Sequence, residues 1–140
     1  MLVQTKLEKL IEQLHLTTKV KLMGSQPQKQ LWEYMKASDY FVLNTGYEGL
    51  PHLVIEAMQL DLPVITTKIG GNVEVVKNGI NGLLVAYNNK EELTVAIVDM
   101  WQDQGKRERL ITEAKITARD FNKTKMVNSL VETLRLVPKI

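Results

Sequence analysis

The 140 residues include no cysteine. That removes a disulfide framework and any thiolate metal site, and it leaves the redox compartment undetermined. Histidine is nearly as scarce, because His15 and His52 are the only imidazoles and no ligand cluster forms around them in the sequence. Charge of one sign is also lacking. Lys plus Arg total 18 against 16 Asp plus Glu, a formal net charge of +2, which is too small to favour nucleic acid or an anionic membrane as partner. No apolar run approaches the roughly 20 residues of a membrane span, and the start carries no basic region followed by the apolar stretch of a secretory signal. A soluble, cytoplasmic chain is the expectation. What is present is ordinary: 44% hydrophobic and 24% charged residues, the composition of one globular domain with enough apolar mass for a core.

Leu7, Leu10, Ile11 and Leu14 recur at helical spacing within residues 4–15, with Lys6, Glu8, Lys9 and Glu12 on the opposite face. Val20 and Leu22 alternate with Lys19 and Lys21 before Gly24, which predicts a short strand and a turn, then a helix over about 28–36. Tyr40-Phe41-Val42-Leu43 is a compact apolar run of buried-strand type and ends in the turn signal Asn44-Thr45-Gly46. Pro51 then opens a short helix with Leu53, Val54, Ala57 and Met58 as its apolar stripe. Pro63-Val64-Ile65-Thr66-Thr67 reads as a second strand, Gly70-Gly71 as a loop, Asn78-Gly79 and Asn81-Gly82 as a turn, and Leu83-Leu84-Val85 as a third strand. Helices are expected over 90–102 (Leu93, Ala96, Ile97 and Met100 inward), 104–120 and 124–136. Strands alternating with helices imply an α/β fold, a Rossmann-like parallel sheet flanked by helices. Ligands of such sheets bind beyond the carboxyl ends of the strands, where 44–51 and 67–73 lie on this reading.

The first of these loops carries Glu48, and the helix after it carries Glu56, eight positions further on. A helix start offers backbone N–H groups to an anion, here from His52, Leu53 and Val54, since Pro51 has none. Gly49 permits close approach to the backbone. A carboxylate one turn further in, such as Glu56, can accept two hydrogen bonds from a ribose diol. Phosphate plus ribose points to a nucleotide. The residues alone also allow Glu56 to be a solvated helix residue and Glu48 to sit near the helix dipole.

The stretch Glu48-Gly49-Leu50-Pro51-His52-Leu53-Val54-Ile55-Glu56-Ala57-Met58, preceded by Ala37-Ser38-Asp39-Tyr40-Phe41-Val42-Leu43, resembles the E-x7-E region of glycosyltransferase family 4, the retaining group 1 transferases of GT-B fold. Downstream, Leu62-Pro63-Val64-Ile65, Gly70-Gly71-Asn72-Val73-Glu74 and Asn78-Gly79-Ile80-Asn81-Gly82-Leu83-Leu84-Val85 resemble further segments of that family in order and spacing. The resemblance implies the C-terminal, donor-binding domain, a single domain over 1–140. It implies that Glu56 holds the donor ribose and that Glu48 acts at the transferred sugar as the catalytic carboxylate. Gly49, Leu50, Pro51 and His52 would meet the sugar and diphosphate, with Leu53 and Val54 at the helix start, and the segment ending at Gly24 would line the base pocket. The donor would be a UDP- or GDP-sugar and the acceptor a saccharide or lipid-linked acceptor. No metal and no other cofactor is expected, and retention would proceed by front-face attack without a protein nucleophile.

The family pattern also contains parts that do not match here. Its donor domain opens with a strand bearing a Gly-Arg motif and a following Lys that clamp the diphosphate, whereas the first arginine of this chain is Arg107. The expectation is therefore a truncated domain lacking its first strands and its N-terminal acceptor domain. An Arg–phosphate pair contributes on the order of 1.5–3 kcal/mol, so the isolated chain is expected to bind donor weakly and to be inactive or nearly so. Open sheet edges would favour homo-oligomers. Membrane association, peripheral at the inner face, would come only through parts outside this chain. The other readings weighed are a nucleotide-sugar-binding module and a 2-epimerase-like relative, while no G-x-G-x-x-G follows a strand to support dinucleotide chemistry. Trp32 and Trp101 read as packing groups, 106–109 as a solvated helix face, His15 as a helix end, Glu74 as a helix-start residue, and Lys68 as a lesser source of positive charge near the loop.

Overall fold

The computed structural model describes residues 2–122 together with 124, 125, 128 and 132. The chain divides into two compact units, Met1–Leu31 and Trp32–Ile140. In the first, α1 (Leu2–Gln13) ends where His15 adopts a left-handed φ of 55°. Leu16 N–H reaches back to Ile11 O at 2.9 Å and His15 N–H to Glu12 O at 3.0 Å, closing the helix end. The apolar stripe expected on this helix is largely uncovered, with Leu7, Leu10 and Leu14 between 43% and 56% exposed. The strand expected at 19–22 does not form. Val20 N–H and Lys19 N–H both bond to Leu16 O at 2.9 Å, which holds this stretch in a turn. Alternation makes a strand only where a neighbour completes the ladder. Gly24 takes a φ of +62°, a conformation that favours glycine.

The second unit is built on a parallel sheet of β1 (Phe41–Leu43), β2 (Val64–Thr67) and β3 (Leu83–Val85) in that order. Phe41 pairs with Val64 and Ile65 with Leu83, so the three strands end on one edge. β2 is central and buried throughout. The chain crosses from β1 to β2 through α3 (His52–Gln59) and passes α4 (Asn72–Val75) on the way to β3. α2 (Gln28–Lys36) runs over the boundary between the units, and α5 (Lys90–Gln102) and α6 (Gln104–Asp120) follow the sheet. The expected last helix over 124–136 lies for the most part outside the described residues.

Ile65, Leu83 and Val85 pack with Ala96 and Met100 of α5 and Leu110 of α6, with Tyr40, Val42, Leu93 and Ile97 against them. α3 packs against α6 and the sheet, burying Val54, Ile55, Ala57 and Met58. Leu53, expected in that stripe, is 37% exposed and Ile55 takes the inward place. α5 and α6 are delimited by side chains. Asn89 Oδ1 accepts from Glu92 N–H at 3.0 Å, and Glu92 Oε2 accepts from Ala86 N–H at 2.7 Å. Asp103 Oδ1 caps α6 by accepting from Lys106 N–H at 2.8 Å. The run 106–109 is not the uniformly solvated face expected: Lys106 pairs with Asp99, and Arg107 Nη1 donates to Met100 O and Trp101 O at 2.6 and 2.8 Å. Those carbonyls end α5 and lack helical donors, so a cation is drawn to them. Trp101 is 66% exposed rather than packed. Among the described residues, no helix is long and apolar enough to cross a membrane.

Candidate functional site

The loops after β1 and β2 meet at the carboxyl edge of the sheet, backbone against backbone. Gly71 N–H donates to Glu48 O at 2.9 Å. A Cβ on Gly71 would fall 1.6 Å from Gly49 O, and one on Gly70 would fall 2.0 Å from Glu48 O. Only glycine fits at either place, and Gly70 also has a φ of +49°. Two threonines at the end of β2 tie down the end of β1 and the loop after it, Thr66 Oγ1 donating to Leu43 O at 3.0 Å and Thr67 Oγ1 to Thr45 O at 2.7 Å. Asn72 Nδ2 donates in turn to Thr67 Oγ1 at 3.3 Å. Asn72 is fully buried and its Oδ1 has no partner among the described residues. Thr45 Oγ1 also donates to Tyr47 O at 2.7 Å, tightening the turn before Glu48.

This clamp sets where α3 begins. Pro51, buried against Gly71, has φ −79° and ψ 73°, and His52 N–H bonds to Leu50 O at 2.9 Å across it. That is an inverse γ-turn. It corrects one expectation: the His52 N–H is engaged within the loop and is not a donor to a ligand in this conformation. The helical ladder starts with Ile55 N–H to Pro51 O at 3.1 Å, which leaves Leu53 and Val54 as the first-turn N–H groups ahead of the ladder. Val54's side chain is fully buried, so its N–H is what it can offer. Leu50 and His52 are exposed, and Gly49 has open space where a side chain would project.

Glu48 lies in the loop after β1 and Glu56 one turn into α3, both half-buried. Glu48 is held through its backbone carbonyl by Gly71. Glu56, one turn into α3, accepts a hydrogen bond at Oε2 from Trp32 Nε1–H of α2 at 2.8 Å. Trp32 is thus a hydrogen-bond donor and 39% exposed, not the packing group expected. Gly24 belongs to the first unit, described above. Lys68 is exposed in the second loop, and Glu74 is exposed in the first turn of α4. Two aromatic residues at the corner escaped the sequence reading. Tyr87, two positions past β3, packs its ring over Gly46, where a Cβ would lie 2.8 Å from it, and Tyr47 is 85% exposed. Among the described residues, no three of His, Asp and Glu converge to hold a metal ion.

A parallel sheet whose carboxyl edge carries a glycine-clamped loop running into a helix start is the Rossmann-like arrangement that GT-B transferases use for one of their domains. The chain belongs to the family described as glycosyl transferases group 1, whose sequence profile matches residues 3–117. Among its relatives is the colanic acid biosynthesis glycosyltransferase WcaL of Salmonella typhimurium, named as such putatively in its own description, at 30% identity over 96% of this chain and 35% of that protein. An Escherichia coli UDP-Gal:alpha-D-GlcNAc-diphosphoundecaprenol alpha-1,3-galactosyltransferase is 39% identical over 50% of this chain and 18% of its own length. Among solved structures, HepE of Anabaena in complex with UDP and glucose superposes with a TM-score of 0.86 at 27% identity, covering 95% of this chain and 36% of that one. The chain thus spans about a third or less of the relatives it matches.

Proposed function

We propose that this chain is the donor-binding part of a sugar transferase: it holds a UDP- or GDP-sugar at the carboxyl edge of the sheet, for transfer with retention to a saccharide or lipid-linked acceptor. The observation that carries the reading is the Gly70–Gly71 clamp, which fixes Glu48 and the start of α3 together. A scaffold whose loops meet backbone to backbone holds its functional groups with little freedom, as a positioned site requires. The names of the relatives support it, since HepE is described with UDP and glucose bound and the E. coli relative is named for UDP-galactose.

In this reading the Leu53 and Val54 N–H groups and the dipole of α3 receive the donor diphosphate. Gly49 lets the phosphates approach the loop, and the exposed His52 stands beside them with Leu50. Glu56 accepts from the ribose diol, and Glu48 faces the hydroxyls of the transferred sugar as the catalytic carboxylate. The leaving diphosphate takes the acceptor proton, so no protein nucleophile and no metal is assigned. The acceptor is held outside this chain, and transfer depends on its being positioned against the donor.

The test is ligand-observed NMR of the purified chain with UDP, GDP, uridine and 2′-deoxyuridine, beside Glu56→Ala. Binding of one nucleoside diphosphate, lost on the Glu56 change, is the expected result. Binding that ignores Glu56, or none at millimolar ligand, contradicts the reading.

A further inference from the structure

The bond between Trp32 and Glu56 is a long-range side-chain contact that the family resemblance does not account for. Trp32 stands on α2 and Glu56 on α3, 24 positions later, and the indole N–H meets Oε2 at 2.8 Å. A donor on a carboxylate at that distance is a charge-assisted hydrogen bond. The indole is 39% exposed, so filling the core does not explain its presence.

A glutamate on a helix has three rotatable side-chain bonds, and its carboxylate samples many directions unless something holds one oxygen. Indole is suited to that task because it donates and never accepts. It therefore cannot take the hydroxyl protons of a diol in place of the glutamate. A carboxylate has about four acceptor positions, so the bond from Trp32 does not by itself exhaust it. Phenylalanine would keep the ring and lose the hold.

Resting on the function proposed above, we propose that Trp32 is a positioning residue: its indole N–H orients the Glu56 carboxylate so that both hydroxyls of a vicinal ribose diol can bond to it. Trp32 then sets the preference for ribose over deoxyribose without touching the diol. Its effect passes wholly through Glu56.

The experiment uses the whole chain, with UDP and 2′-deoxy-UDP (and the guanosine pair) as probes. Dissociation constants are measured for the wild type, Trp32→Phe, Glu56→Gln and the double variant, with thermal unfolding to verify that each is folded. The indole 15N–1H cross-peaks, two in number for Trp32 and Trp101 and assigned by Trp32→Phe, are followed in the same titrations. The wild type should prefer the ribose ligand by about tenfold, in line with a hydrogen bond to a charged group. Trp32→Phe should abolish most of that preference while leaving 2′-deoxy-UDP affinity within about twofold, and should add nothing in the Glu56→Gln background. The Trp32 cross-peak should move with UDP and much less with the deoxy ligand. If Trp32→Phe keeps the preference, or weakens both ligands equally, the inference is overturned while the donor-site reading stands. If no nucleoside diphosphate binds the wild type, or Glu56→Gln changes nothing, the donor-site reading fails and takes this inference with it.

Discussion

Gly71 and Gly49 lie on opposite sides of one contact and differ in what they tolerate. A methyl group on Gly71 meets the Gly49 carbonyl at 1.6 Å, and backbone cannot give way as a flexible side chain would. Gly71→Ala is expected to cost about 3 kcal/mol or more in urea unfolding, among the larger effects of a single substitution. Gly49→Ala meets nothing within 4 Å and should change stability by no more than about 0.5 kcal/mol. Equal effects of the two changes would mean that the loops are not clamped as described. The sequence shows Gly70-Gly71 as a loop but not why two glycines are needed there. That reason lies in a carbonyl more than twenty positions away. The same holds for Thr67 on Thr45, Tyr87 over Gly46 and Trp32 on Glu56: each is a pairing across elements that no local pattern announces.

Elements were more legible. The bounds read for the two helices over 90–102 and 104–120 match α5 and α6: Leu93, Ala96, Ile97 and Met100 mark the inner face of the first by their spacing, and the structure adds Asn89 and Asp103 as caps at the two starts. Asp103→Ala removes the α6 cap and should cost about 1 kcal/mol, seen as a lower unfolding midpoint in denaturant. An unchanged midpoint would mean that the Asp103 bond contributes nothing net. Met100 is fully buried where α5 meets the sheet, so Met100→Ala should cost about 2–5 kcal/mol through lost burial and the cavity it leaves. A cost under about 1 kcal/mol would place it outside the core. What failed was the strand at 19–22, where alternation was present and a ladder partner was not. The start of α3 was found from Pro51, but not the γ-turn that engages the His52 N–H.

For the whole molecule, the fold class and the family were legible together, because a parallel α/β order and four ordered motifs are properties of long stretches and survive local misreading. Arg107, the first arginine, is turned to the end of α5 by its bonds to Met100 O and Trp101 O, and Lys68 is the basic residue in the second loop. Within this chain, a diphosphate at the corner would meet backbone N–H groups and the dipole of α3. Such binding is sensitive to salt, and donor affinity should fall as ionic strength rises from about 10 to 150 mM.

A competing cavity, lined by Gln59, Asp61, Lys115, Arg119 and Asn122, lies toward the other end of α3, where Lys115 and Asp61 pair at 3.0 Å. It too could attract an anion. The central claim, that the nucleotide-sugar site is the corner joining the loops after β1 and β2, is tested most directly by mapping backbone amide shifts of the labelled chain during titration with UDP and GDP. Shifts concentrated at Gly46–Glu56 and Lys68–Val73, saturating with one nucleotide, are the expected result. Shifts concentrated instead at Met58–Asp61 and Lys115–Asn122, or absent throughout, would contradict it.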